Sequence, residues 1–187
     1  MAALILSAVT KNNLDALRSI LEKEASISKA SLSDEINKSD NELQLNALQL
    51  ASTIKDINPE VINLLVEYQG NINTKNQNGL TALHIGCKRQ NWDACKILIE
   101  MKLNQCEINS KSNKNYIPLY YALKYQETRA ERINIYEQVI VLLLDNLENF
   151  RTEEGNNILH ISILFNNIPA TKKILQKGVV PLELLNT

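Results

Sequence analysis

The chain repeats itself, and this constrains the fold before any motif is considered, because a period of a few tens of residues implies stacked copies of one small unit. Leu83-His84-Ile85-Gly86 aligns with Leu119-Tyr120-Tyr121-Ala122 and with Leu159-His160-Ile161-Ser162, and Leu48-Gln49-Leu50-Ala51 takes the same place upstream. The anchors, residues 49, 84, 120 and 160, are 35, 36 and 40 positions apart. A second apolar segment follows each of them, at 60–67, 93–100, 138–145 and 170–178, with apolar residues three and four apart marking one buried helical face. The opening "LILSAVTKNNLDALRSILEKEASIS" has the same two-helix shape and makes a leading unit. Polar stretches, "GNINTKNQNG" and "CEINSKSNKN", come after the second helices, with Asn and Gly at turn positions.

Two short helices, a turn and a projecting loop, recurring about every 33 residues with a T-P-L-H-x-A-like segment, resemble the ankyrin repeat. The likeness is strongest from Asn76 to Asn109, where "NQNGLTALHIG" is similar to D-x-x-G-x-T-P-L-H-x-A, and "EEGNNILHIS" is a second good match. The unit from Ser112 to Leu147 departs from the pattern, with Asn115 in place of Gly and Tyr120 in place of His, and the unit around Gln49 departs further. The resemblance implies an all-α ankyrin-repeat solenoid of stacked helix pairs with short β-hairpin-like loops. It would form a single array over 1–187, with units at 1–29, 42–73, 76–109, 112–147 and 152–187 and insertions at 30–45 and 126–138.

The same resemblance assigns structural work to residues that would otherwise suggest chemistry. Thr81 would cap a first helix, and His84 and His160 would tie neighbouring loops together. Gln49 and Tyr120 fill the same slot in other units, which a catalytic histidine would not tolerate. Gly79 and Gly155 would supply backbone freedom to the turns. Trp92 reads as a packing residue between units, and Cys87, Cys95 and Cys106, an odd set with no CxxC pair, read as small buried residues rather than a disulfide framework or zinc site. Phosphate-binding glycine loops and nucleophile–base motifs do not occur, so neither cofactor nor metal is implied.

Twenty basic residues against 21 acidic ones give a net charge of −1, without the basic face that nucleic acid demands. The N-terminus has no basic region ahead of its apolar stretch and reads as a first helix rather than a signal peptide. No apolar run approaches the roughly 20 residues needed to span a bilayer. A cytoplasmic protein, monomeric alone and not inserted in membranes, is expected. Roughly two dozen Asn with few Gly and Pro fit an AT-rich genome, such as that of an intracellular bacterium or a protist; for the bacterial source, the resemblance to ankyrin-repeat proteins implies an effector delivered to host cytosol.

Stacked units leave one long curved surface for partners. In the family this concave face is built by hairpin tips and first helices, which here would present Gln77, Asn78, Leu80, Lys88 and Arg89 in one unit. The next would add Asn113, Tyr116, Lys124 and Tyr125, and the last Glu154, Asn156, Leu164 and Phe165. Tyrosine and arginine are enriched where binding energy concentrates. The plainer alternative packs Tyr120 and Tyr121 in the core.

Two insertions are candidates for private contacts. The first, at 30–45, is rich in Ser, Asp, Asn and Glu and reads as a flexible or partly helical loop. The second, "KYQETRAERINIYEQ", reads as an extension of both helices of its unit by a turn or two, exposing Glu127, Arg129, Glu131 and Arg132. The apolar tail "GVVPLELLNT" would either fold back or begin another unit. The expected function is non-enzymatic binding of a partner protein through the concave face; the alternative is a targeting or regulatory domain of a larger enzyme.

Overall fold

The computed structural model of the chain describes residues 1–39, 44–101, 106–148 and 150–178, so the apolar tail from Val179 lies outside the described residues. Eleven α-helices are described: α1 (Ala2–Thr10), α2 (Leu14–Ala25), α3 (Lys29–Asn37), α4 (Ala47–Ala51), α5 (Pro59–Glu67), α6 (Ala82–Arg89), α7 (Trp92–Glu100), α8 (Pro118–Lys124), α9 (Ile133–Asp145), α10 (Ile158–Leu164) and α11 (Ile168–Lys177). Helices pair as α1 with α2, α4 with α5, α6 with α7, α8 with α9 and α10 with α11. The first helices then stack in the order α1, α4, α6, α8, α10 and the second in the order α2, α5, α7, α9, α11. The result is a two-layer solenoid in which each described helix pair packs chiefly on its neighbours. One apolar core, from Ile5 to Ile174, runs between the layers.

Helices this short are marginal in isolation, and two devices hold them. Burial is the first, with Val61, Ile62, Leu64, Leu65 and Val66 of α5 all in the core. Asparagine is the second: Asn13, Asn46, Asn58, Asn91, Asn157 and Asn167 each N-cap a helix, accepting from the backbone N–H groups of its first turn. Several of these caps also reach across units. Asn91 donates from Nδ2 to the Ile54 carbonyl at 2.7 Å, and Asn167 donates to the Leu123 carbonyl at 2.9 Å and to the Tyr136 hydroxyl at 2.6 Å. The asparagine content therefore has a structural use beside any compositional origin.

The segment at 30–45 contributes a further helix, α3, which packs on α1, α2 and α4 through Leu32 and Ile36. Its last residue, Asn37, donates to the Gln69 carbonyl at 3.1 Å and accepts from the Asn71 backbone at 2.7 Å, fixing it to the next unit. Residues 40–43 of that insertion lie outside the described residues.

The reading of 124–138 as an extension of both helices is corrected for the first of them: α8 ends at Lys124, and a 3-10 turn occupies Ala130–Arg132. Helix α9 starts at Ile133, more than a turn ahead of the apolar segment at 138–145, so the second helix is extended as expected. Glu127 stops α8 by turning back on its own chain: its Oε1 accepts from the backbone N–H groups of Thr128 and Arg129, both at 3.0 Å, a local bond that competes with helix. Nor is this a solvated charged end. Glu127 is only 4% exposed, and its Oε2 accepts from Trp92 Nε1 at 3.0 Å and from Arg129 at 2.9 Å. Arg132 lies 3.8 Å from the same carboxylate, 3.1 Å from Asp56 and 2.6 Å from Asp93, so one charge network joins three units.

Candidate partner-binding groove

Three projecting turns repeat one hydrogen-bond scheme. The N–H of Asn76, Ser112 and Thr152 donates to the carbonyl of Leu80, Tyr116 and Asn156, four residues on. Position four of each turn needs a left-handed backbone, and Gly79, Asn115 and Gly155 adopt φ of 71°, 57° and 82°. Asn115 serves where glycine is usual because a short polar side chain tolerates that region. Adjacent turns are joined directly: the Asn113 backbone donates to the Asn78 carbonyl at 3.1 Å, and its side chain donates to the Gln77 carbonyl at 2.8 Å.

Beneath the turns, Thr81 and His84 form a capping box. The Thr81 N–H donates to His84 Nδ1 at 3.2 Å, which leaves the proton on Nε2 to donate to the Tyr116 carbonyl at 3.0 Å. Burial pushes this imidazole down to about 4, against the pull of that carbonyl. Gln49 repeats the arrangement one unit earlier, with Oε1 accepting from the Asn46 N–H and Nε2 donating to the Thr74 and Leu80 carbonyls. His160 closes the box with Asn157. The slot is structural wherever a side chain fits it.

Tyr120 does not fit. Too large for the buried slot and without the nitrogen that closes the box, it stands half-buried outside and stacks on Tyr116, with centroids 3.8 Å apart and planes 2° from parallel. Tyr121 meets Tyr116, Tyr120 and His84 edge-on, and Phe165 meets Tyr120 likewise at 5.6 Å. Tyr120 and Tyr121 thus belong to the surface, half-buried, rather than wholly to the core.

This departure creates a groove of about 290 Å³ between the turns and the ends of α6 and α8. Asn78, Leu80, Lys88, Asn113, Tyr116, Lys124 and Tyr125, all singled out from the sequence, line it, with Lys114, Tyr120 and Tyr121. Leu80 contributes little surface, being 7% exposed with its carbonyl held by Gln49. Gln77, Arg89 and Glu154 are exposed outside the lining, and Asn156 and Phe165 are half-buried on the next unit. Lys124 Nζ sits 5.7 Å from the Tyr125 ring and 5.8 Å from the Phe165 ring. Sequence reasoning missed Lys114 and Tyr120; the signal for the latter was a tyrosine in a slot that wants a small buried hydrogen-bonding group.

Of the three thiols, two are enclosed and Cys106 is half-buried. Cys87 and Cys95 are buried with sulfurs 3.7 Å apart, and burial raises the Cys95 thiol and takes Cys106 up to about 12. Among the described residues, no cluster of three His, Cys, Asp or Glu side chains could hold a metal, and no helix is long and apolar enough to cross a membrane.

Residues 48–133 match the family model of ankyrin repeats (3 copies). A protein of Acanthamoeba polyphaga mimivirus named as ankyrin repeat protein L371 is 28% identical over 175 residues, which cover 92% of this chain and 20% of that protein. The chain therefore spans about a fifth of the length of the curated relative it matches. With helix pairs stacked in two layers, capping boxes at the T-x-L-H positions and turns bonded unit to unit, the chain has the architecture of stacked ankyrin repeats, which the family model matches at residues 48–133.

Proposed function

We propose that the chain is a non-catalytic recognition module, monomeric by itself, that binds a partner protein through the concave face made by the projecting turns and first helices. The observation that carries this reading is convergence. Seven residues chosen from the sequence for their places on tips and inner helices line one groove, while the histidines that could have suggested catalysis are committed to the scaffold. Tyrosine and lysine side chains remain at the surface there, and aromatic anchors in desolvated clefts dominate binding energies.

The test is affinity capture from native cytosol with the wild-type chain beside Arg89→Glu/Tyr116→Ala/Tyr125→Ala, after circular dichroism shows that the variant folds. A protein held by the wild type and lost by the variant, and then crosslinked to the turns, is the expected result. Partners that survive the substitutions would move the site away from the concave face.

A further inference from the structure

The lining of the groove has a one-sided charge. Lys88, Lys114 and Lys124 are exposed around it, no aspartate or glutamate lines it, and among the described residues none of the three ammonium groups is in an ion pair. On a chain of net charge −1, whose carboxylates elsewhere meet cations at Glu127, Asp56, Asp93 and Glu137, this local excess is not compositional. The floor is aromatic, with Tyr116, Tyr120, Tyr121 and Tyr125 offering ring edges and hydroxyls. Burial and the neighbouring Tyr116 hold the Tyr120 phenol up to about 12. Asn78, exposed on the turn that Asn113 tethers, adds to the rim a side-chain amide that can bond a peptide backbone.

Building on the recognition function proposed above, we infer that the groove takes an extended acidic segment of the partner, its carboxylates on Lys88, Lys114 and Lys124 and one apolar or aromatic side chain against the tyrosines. Charge complementarity selects the segment and speeds its capture, while the aromatic floor supplies the apolar contact. A single-stranded nucleic acid would share the attraction to lysine but needs open ring faces for its bases. Tyr116 and Tyr120 use faces on each other, and the next turn adds a carboxylate, Glu154, near enough to act on Tyr120.

The experiment pans a library of short random peptides on the immobilised full chain. Enriched peptides, and a uridine oligonucleotide, are then measured by fluorescence anisotropy on the wild type and on Lys88→Glu/Lys124→Glu, with folding checked by circular dichroism. Acidic peptides carrying an aromatic or aliphatic residue should be enriched, weaken by about tenfold or more on the charge-reversed chain, and weaken with added salt. Replacing their Asp and Glu by Asn and Gln should remove binding. Enrichment of neutral or basic peptides that Tyr116→Ala abolishes would overturn the acidic assignment and leave the protein-binding reading standing. Acidic peptides indifferent to the lysine substitutions, failure to enrich any peptide, or tighter binding of the oligonucleotide would each overturn the inference, the last in favour of nucleic acid.

Discussion

His84 and Tyr116 lie 32 residues apart in sequence and are joined at 3.0 Å, imidazole Nε2 to backbone carbonyl. Through Thr81, the same ring closes the cap of its own helix, so one buried side chain fixes both the start of α6 and the turn of the next unit. Gln49 does the same one unit earlier. His84→Gln should accordingly keep most of the stability, whereas His84→Ala leaves the Thr81 N–H unpaired, takes from the Tyr116 carbonyl one of its two donors (Ser112 N–H being the other) and should cost about 1–3 kcal/mol. Urea unfolding of the two variants decides, and equal losses would refute the interchangeability of the slot.

The protonation of His84 sets a pH dependence. Its folded value, about 4, lies below the ordinary 6.5, so the unfolded chain takes up a proton first as pH falls. The contribution is complete above about pH 6.5 and is lost progressively from there down to about 4. Stability measured across that window should slope downward with falling pH in the wild type and be flatter in His84→Gln.

Glu127 acts at a lower window. Burial alone would raise its carboxyl, but the Arg129 side chain and backbone, with Trp92, bring it down to about 2 from 4.5. Its contribution is present above about pH 4.5 and is lost as pH falls towards 2. Glu127→Gln removes the partner of Arg129 and Arg132 and should cost about 3 kcal/mol at neutral pH. Trp92, the only tryptophan, reports the change by fluorescence during urea unfolding, and the gap between variant and wild type should narrow at about pH 3.

Gly79 and Gly155 share a left-handed backbone but not surroundings. A Cβ on Gly79 would collide with the Asn113 side chain and come within 2.6 Å of the Asn113 backbone nitrogen, while nothing stands within 4 Å of Gly155. Gly155→Ala should cost about 1–2 kcal/mol of backbone strain. Gly79→Ala should cost clearly more and raise amide exchange at Asn113, because it separates two turns.

Asn91 has two duties, capping α7 at Ala94 and donating to the Ile54 carbonyl of the preceding unit. Aspartate caps helices as well as asparagine does, so a cap-only role predicts that Asn91→Asp is neutral. The structure instead puts its second oxygen against a carbonyl, and a loss of about 2 kcal/mol is expected in thermal or urea unfolding.

Period, helix pairing, the Thr81 cap, the inter-unit role of His84 and seven of the groove's residues were legible in the sequence, because each depends on local spacing or on a motif repeated in register. The start of the 124–138 segment was not. Propensity favours helix there, but Glu127 finds Trp92 in the preceding unit, and a buried carboxylate with five N–H donors, from Trp92, Thr128 and Arg129, outweighs a few tenths of a kcal/mol of propensity per residue. Tyr120 was left off the expected binding face for a related reason: its position in the repeat is that of the buried slot, and only the size of that slot in three dimensions turns it out onto Tyr116. The sequence by itself determined the unit and its repetition, since those follow from periodicity along the chain. The tertiary structure decided where charge is buried and where aromatics surface, since both depend on contacts between units 30 or more residues apart.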